Sequence, residues 1–366
     1  MLVVSLMFVS CGQKKETKPS GKTLNVIVLT QSDIKNKNLG HQSLLGLKSA
    51  KKMQKYLNNG DEIVFLVLNI KDKNFTEILK NTMLKNKPVA IVSFLSSDEI
   101  LGLKNELKHY AIPVISTLAT NNNVADIKNS FIQVCIDNHK QSLVAAHYIR
   151  DEKFMKHVGI VYEKGSVYST SLAKEFKEIF KNLGGEIDFF LDMGDKNSFK
   201  VLADMHGGKT EMIFSSLNSV LMSKTIKILK DKKWHAEILG ADGLYSGILQ
   251  NNMQDMGMYE GVYVIDHFAY DTYPNKKRMR FEKLLLHEGC KDSSYAFLAY
   301  DSYRLIVYAL QTCPKYSKEC ISAVLQDSET IKGISGNFSI VEAKAMREVY
   351  IDKIHNAKLE KEVVIY

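Results

Sequence analysis

The 366-residue chain is poor in the residues that punctuate or staple a fold: five prolines, one tryptophan and five cysteines. No Pro/Gly-rich stretch reads as a linker between independent domains. No Cys-x-x-Cys pair and no paired histidine spacing occurs, so no metal site is written in the sequence. The ten histidines are dispersed, and His235, beside Trp234, reads as a surface or core-edge residue rather than a base. No interior run reaches the ~18 apolar residues of a membrane span. The Gly-x-Ser-x-Gly elbow, the phosphate-cradling loop and His-Glu-x-x-His are all missing. Gly165-Ser166-Val167-Tyr168-Ser169 shares only fragments of such patterns. These absences argue against an enzyme and against a bound cofactor or metal.

Apolar residues make up 45% and charged residues 25% of the chain, the balance of a globular protein rather than a disordered one. The formal net charge is +8, carried mostly by lysine. The lysines are interspersed with acids, as in Lys174-Glu175-Phe176-Lys177-Glu178, which reads as solvated helix face. No basic stripe interleaved with aromatics is present, so nucleic acid is not an expected partner.

At the N-terminus, Leu2 to Val9 is almost wholly apolar and Ser10-Cys11-Gly12 follows. Residues 13–22 are then polar, charged and turn-rich. An apolar run ending in a small residue is an export signal rather than a fold element. The Cys placed just after it resembles the bacterial lipobox, although Phe8 stands where Leu is usual and no Lys or Arg precedes Lys14. The reading is a signal segment over 1–11 with an acylated Cys11, then a flexible tether over 12–22. The competing reading is a buried first strand with a chance cysteine. If Cys11 carries lipid, Cys135, Cys290, Cys313 and Cys320 remain. Cys313 and Cys320 flank a Pro-containing segment and are either a disulfide or free buried thiols.

From Lys22 onward, short β-branched runs alternate with helix-period segments. Strands are predicted at 24–29, 63–68, 89–94 and 113–115, with helices at about 47–57, 75–86 and 98–109 between them. The pattern restarts with a helix at about 140–152 and a strand at 158–162. A helix then ends at Gly184-Gly185, a C-cap signal. Strands at about 186–191, 212–215 and 237–240 alternate with helices near 198–205 and 219–232. Gly261 to Ile265 is a strand leading to a lobe crossing. Helices near 295–312 and 316–327 and late strands around 347–354 complete the chain. Continuous apolar strands separated by helices predict parallel sheets covered on both faces. The fold class is therefore α/β, with two Rossmann-like lobes joined by crossing segments.

In open parallel sheets, ligands sit beyond the carboxyl ends of the strands. Leu95-Ser96-Ser97-Asp98 and Ser116-Thr117-Leu118-Ala119-Thr120 follow two strands of the first half. Gly240-Ala241-Asp242-Gly243 follows one strand of the second. Hydroxyls of Ser97 and Thr120, with N–H groups at a helix start, suit a carboxylate. Asp242 suits an ammonium group. Each loop also has a purely structural reading: Ser96-Ser97-Asp98 as a helix N-cap, and Asp242-Gly243 as a turn.

The order of elements over residues 23–355, together with these loops, resembles the leucine/isoleucine/valine-binding protein family within the type I periplasmic binding fold. Ser96-Ser97, followed without gaps by Ile112 to Thr120, keeps the spacing of that family's carboxylate-binding Ser and Thr. The resemblance implies ligand contacts from Ser96, Ser97, Leu118, Ala119 and Thr120, an ammonium contact from Asp242, a closing Tyr168, and a pocket contact from Leu217. Asp242 is one methylene shorter than the family's usual Glu, Leu118 replaces a small residue, and Leu217 stands where an aromatic is usual. Ala299-Tyr300-Asp301-Ser302 resembles a structural helix of the family. The implied lobes are 23–139 plus 268–331 and 140–267 plus 332–366. The implied function is an exported, lipid-anchored receptor that closes on an amino acid or related small molecule. Its partners are then the membrane, through the anchor, and the permease of an ABC transporter. The alternative on the same fold is a sensor or lipoprotein adaptor with a vestigial cleft.

Overall fold

The computed structural model describes residues 21–32, 38–250, 256–268, 275–290, 293–356 and 358–365. The predicted signal segment, Cys11 and most of the tether lie outside them. The first half runs β1 (Thr23–Thr30), α1 (Leu39–Met53), β2 (Glu62–Asn69), α2 (Phe75–Asn86), β3 (Ala90–Phe94), α3 (Ser97–Lys108), β4 (Val114–Ser116) and β5 (Phe131–Gln133). The second runs α4 (Asn138–His147), β6 (His157–Tyr162), α5 (Val167–Asn182), β7 (Glu186–Asp192), α6 (Lys196–Asp204), β8 (Met212–Ser215), α7 (Ser219–Asp231), β9 (Glu237–Gly240), α8 (Leu244–Gln250) and β10 (Tyr263–Asp266). Three more helices follow, α9 (Lys276–His287), α10 (Ser294–Thr312) and α11 (Lys318–Gln326). The chain ends in β11 (Ile331–Lys332), β12 (Asn337–Val341), β13 (Lys344–Met346), β14 (Val349–His355) and β15 (Lys358–Ile365).

These strands form two sheets. One has the order β11-β12-β13-β5-β4-β3-β1-β2 and the other β15-β14-β10-β9-β8-β6-β7. In the first, Val26, Val28 and Val92 point to a core built with α1, α9, α10 and α11, while Ile27, Leu29 and Ile91 point to α2 and α3. The alternation follows the period-2 geometry of a strand, and both faces are apolar because both are covered. In the second, Val158 and Ile160 meet α4 and α5 on one face, while Val161 and Ile213 meet α6 to α8 on the other. Phe176 stacks on Phe214 at 4.0 Å between ring centroids. Burying each such side chain contributes on the order of 1.5–3 kcal/mol. The predicted stop of α5 is present, with Gly184 in the left-handed region at φ 77°. Cys313 and Cys320 form a disulfide that ties the end of α10 to α11, and Cys135 and Cys290 are buried.

The tail departs from the sequence reading in two ways. Residues 332–346, expected in the second lobe, belong to the first sheet: β13 pairs with β5, and Ile334, Phe338 and Ile340 lie in the core under α10. Nor are the sheets parallel throughout, since β12 with β13 and β14 with β15 are antiparallel pairs. The cause is connection length. The two-residue Glu342-Ala343 turn is too short for a parallel crossover, which needs a dozen or more residues. Both turn residues have positive φ, 49° and 63°, as a twisted two-residue hairpin requires.

The chain passes between the sheets three times: after β5, between β10 and α9, and at Arg347-Glu348. A buried cluster ties two of these crossings together. Arg347 bonds Asp301 of α10 at 2.6 Å and the Val134 carbonyl at 3.1 Å. Asp301 also accepts the Ile334 N–H at 2.7 Å and the Ser335 hydroxyl. Ser302 meets Thr117 at 2.8 Å. Asp301 and Ser302 are thus bound into the first lobe and the hinge.

Candidate functional site

A cavity of about 600 Å³ opens between the lobes. Apart from Leu39 and Tyr295, its wall is made of segments that follow the carboxyl ends of β3, β4, β6, β8 and β9. Of the residues singled out in the sequence, Ser96, Ser97, Leu118, Thr120, Tyr168, Leu217 and Asp242 all line it. Ala119 does not. Leu118 and Thr120 face the cleft, so the residue between them faces away, and Ala119 packs into the core with Ile91 and Ile100. Its carbonyl accepts the Gln133 amide at 2.6 Å.

The first-lobe wall is built on the start of α3. Ser96 is its N-cap in a full capping box: its hydroxyl oxygen accepts the Glu99 N–H at 3.4 Å, and Glu99 accepts the Ser96 N–H at 3.0 Å. Its O–H also donates to Glu99 at 3.0 Å, so Ser96 is spent on the helix. Ser97 accepts the Asn121 N–H at 3.2 Å, which leaves its own O–H to donate. Thr120 donates to Asn138 Oδ1 at 2.7 Å, and its hydroxyl must rotate to reach a ligand. The N–H groups of the first turn of α3 point outward from the helix end, as anion donors do.

The second-lobe wall centres on Asp242. Its N–H donates to Gln141 Oε1 at 3.2 Å. Its Oδ1 accepts the Tyr168 hydroxyl at 2.9 Å, and Oδ2 lies 3.4 Å from His267 Nε2. Burial first, and the Asp242 carboxylate second, push the Tyr168 hydroxyl well above its ordinary pKa, so it stays a donor. Tyr295, at the start of α10, donates to the Gly243 carbonyl at 3.2 Å and is likewise held protonated by burial. Gly243 has φ 75°, and a Cβ there would run into the Tyr295 hydroxyl. Glycine is therefore required both by the turn and by the closeness of the opposite lobe.

Among the described residues four charged side chains line the cavity, Asp98, Glu99, Glu163 and Asp242, and all are carboxylates. Among the described residues no Lys, Arg or His is on its wall. Protein donors meet all four carboxylates, Asp242 through Tyr168. Glu99 serves the capping box, and Glu163 accepts the Asn218 amide at 3.1 Å. Asp98 reaches across the cleft to the Val167 N–H at 2.7 Å and the Ser166 hydroxyl at 3.3 Å, at the start of α5. Leu39, Leu118, Leu217 and Leu244 supply an apolar section of the wall. Further contacts join the lobes: Asn121 to Ser171 at 2.9 Å, Asn122 to Glu175 at 2.8 Å, and Ser246 to Ser294 at 2.8 Å.

Sequence reasoning missed Tyr295, Asn218, Gln141 and His267. Asn218 lies three residues past β8, and the strand-end rule that selected Leu217 would have found it. His267 directly follows β10, so the same rule reaches it as well, whereas Tyr295 carries no local signal because only the lobe arrangement brings it to the Asp242 loop. Among the described residues, no group of three His, Cys, Asp or Glu side chains is arranged to hold a metal ion, and no helix is long and apolar enough to cross a membrane.

Comparison with known proteins gives the same architecture. The profile of the periplasmic binding protein family matches residues 70–357. No curated protein sequence matches the chain. Among solved structures, a leucine-binding protein from Thermotoga maritima superposes with a TM-score of 0.79 at 20% identity, covering 94% of this chain and 98% of that one. A branched-chain amino acid transporter substrate-binding protein from Streptococcus pneumoniae, solved with isoleucine, gives 0.78 at 19% identity, covering 94% and 99%. An ABC transporter solute-binding protein from Rhodopseudomonas palustris, solved with 3,4-dihydroxybenzoic acid, gives 0.78 at 17% identity, covering 94% and 97%. At these identities the likeness concerns the fold. The family match spans well over half of the chain, and with the two facing lobes it leads to one conclusion: this protein belongs to the periplasmic binding protein family.

Proposed function

We propose that the protein is the solute-binding component of an ABC importer and that its ligand is an α-amino acid with an uncharged, apolar side chain. It performs no covalent chemistry. The ligand carboxylate sits on Ser97, Thr120 and the N-terminus of α3. Its ammonium sits on Asp242, with Tyr168 closing beside it. Its side chain lies against Leu118 and Leu217. Each lobe supplies one half of the polar contacts, so binding favours the closed arrangement of a hinge equilibrium, and a permease reads that arrangement.

The observation that carries this reading is the charge of the cavity wall. Asp242 faces first-lobe hydroxyls across one space, and among the described residues every charged lining side chain is acidic. An aromatic acid such as dihydroxybenzoate would bring a lone negative charge among four carboxylates, with no cation among the described lining residues to offset it. A zwitterion brings its own. Asp98 and Glu99 belong to the first-lobe wall and Glu163 is tied to Asn218, so Asp242, whose Tyr168 and His267 donors leave two lone-pair sites open, takes the ammonium.

Export and lipid attachment through Cys11, with 12–22 as a tether, belong to the same proposal. The Cys313–Cys320 disulfide supports an oxidising compartment. A thermal-shift screen against the amino acids, their amides and hydroxybenzoates tests the ligand class. A ligand at a hundred times its Kd stabilises the protein by about 2.7 kcal/mol. Shifts confined to amino acids support the reading, and shifts with hydroxybenzoates overturn it. Silence toward every compound, together with capture of an envelope protein, points instead to a sensor or adaptor with a vestigial cleft.

A further inference from the structure

We infer that His267 is a positioning residue for the Asp242 carboxylate, and that it joins the ammonium site to two of the three lobe crossings. The inference rests on the amino-acid reading above for its role in binding, though not for its geometry. His267 is not on the cavity wall. It follows β10 directly, at the head of the second crossing, and is 3% exposed. Its Nδ1 faces the Ile136 N–H at 3.3 Å, and Ile136 belongs to the first crossing. A backbone N–H can only donate, so Nδ1 is the acceptor and the neutral ring carries its proton on Nε2. That N–H is aimed at Asp242 Oδ2, 3.4 Å away. The main chain beneath the ring is pinned as well, since the His267 N–H donates to Asp266 Oδ1 at 2.6 Å.

Asp242 is therefore held at both oxygens by donors from different elements, with Tyr168 of α5 on Oδ1 and His267 on Oδ2. A carboxylate offers about four lone-pair sites, so two remain for the ligand. Fixing the carboxylate plane before the ligand arrives removes an ordering cost from binding. A neutral donor suits this task. It orients Asp242 without neutralising it, whereas an imidazolium would compete with the ammonium for the same charge and would set an N–H against the Ile136 N–H. Ile136 N–H, imidazole and carboxylate form one chain, so a change at either crossing moves the group that holds the ammonium.

Two measurements test this. Long-range ¹H–¹⁵N correlation of the unliganded, histidine-labelled protein reads the tautomer without any ligand. His267 is expected as the neutral Nε2–H form, with its Nε2–H resonance displaced in Asp242→Asn. An Nδ1–H tautomer, an imidazolium at pH 7.5, or a resonance indifferent to Asp242→Asn overturns the inference. Calorimetry then compares L-leucine with its ammonium-free analogue, 2-hydroxyisocaproate. His267→Ala is expected to weaken L-leucine 5- to 20-fold and the hydroxy acid less than twofold. His267→Gln, which keeps an acceptor and a donor, is expected to recover most of the loss. Equal weakening of both compounds means a merely structural histidine. Wild-type protein that prefers the hydroxy acid overturns the amino-acid reading instead, and the resonance test still decides the placement of His267.

Discussion

In the sequence Asp98 reads as part of an N-cap motif for its own helix. In the structure it caps a different helix, in the other lobe. Its carboxylate accepts the Val167 N–H at 2.7 Å and the Ser166 hydroxyl at 3.3 Å, at the positive end of α5. Replacing it with Ala removes a bond that exists only while the lobes touch. A hydrogen bond to a charged group contributes about 1.5–3 kcal/mol, and Asp98 is half-buried, so about 1–2 kcal/mol of closed-state preference is lost after solvent screening. Apparent affinity scales with the closed fraction, so Kd rises roughly 5- to 30-fold. Asp98→Asn keeps an acceptor oxygen and loses only the charge, so its effect is smaller. Calorimetry with the amino acid chosen by the thermal-shift screen measures Kd, and small-angle scattering of the unliganded variant reports a larger radius of gyration. An unchanged Kd with unchanged scattering would falsify the latch.

Three further predictions concern stability. Asp301→Ala leaves Arg347 buried without its partner and costs about 3–5 kcal/mol in urea denaturation, whereas the double variant Asp301→Leu with Arg347→Met recovers most of that; a single variant within about 1 kcal/mol of wild type contradicts the hinge cluster. Asp266 is fully buried, and burial, with the nearby Asp242 charge adding to it, raises its carboxyl to about 6. A raised acid contributes stability below its unfolded pKa and loses it as pH climbs through the folded one, so Asp266→Asn stabilises the protein at pH 7.5, by up to about 3 kcal/mol, and much less near pH 4. Equal effects at both pH values rule out that ionisation. Reducing Cys313–Cys320, which are 7 residues apart, costs about 2–3 kcal/mol on the chain-entropy account; a melting temperature unmoved by reductant refutes it.

The alternation of β-branched runs with helical periods makes both sheets legible as far as β10. Those strands are continuous apolar runs covered on both faces, as Val26 to Leu29 show, even where they are only three or four residues long. The exception is β5. β5 is three residues ending in the buried polar Gln133, whose amide serves the Ala119 carbonyl, and nothing local marks it as central. The tail goes to the wrong sheet by sequence because a hairpin such as β12–β13 can join either lobe, and only the packing of Phe338 and Ile340 under α10 decides which. In the site, the strand-end rule leads to Ser97, Thr120 and Asp242, since topology fixes where strands end. It does not tell which way a loop residue faces, and so it includes Ala119. Nor does it reach Tyr295, which meets the Asp242 loop from the other lobe, more than fifty residues away in sequence.

In the proposed binding mode Asp242 takes the ligand ammonium. Calorimetry of wild type and Asp242→Ala with the best-stabilising amino acid measures this directly. Truncating one partner of a buried charge pair costs about 2–5 kcal/mol, so affinity is expected to fall on the order of a hundredfold or more, with folding intact by circular dichroism. A dissociation constant that stays the same in Asp242→Ala would place the ammonium elsewhere and contradict the binding mode proposed for this cleft.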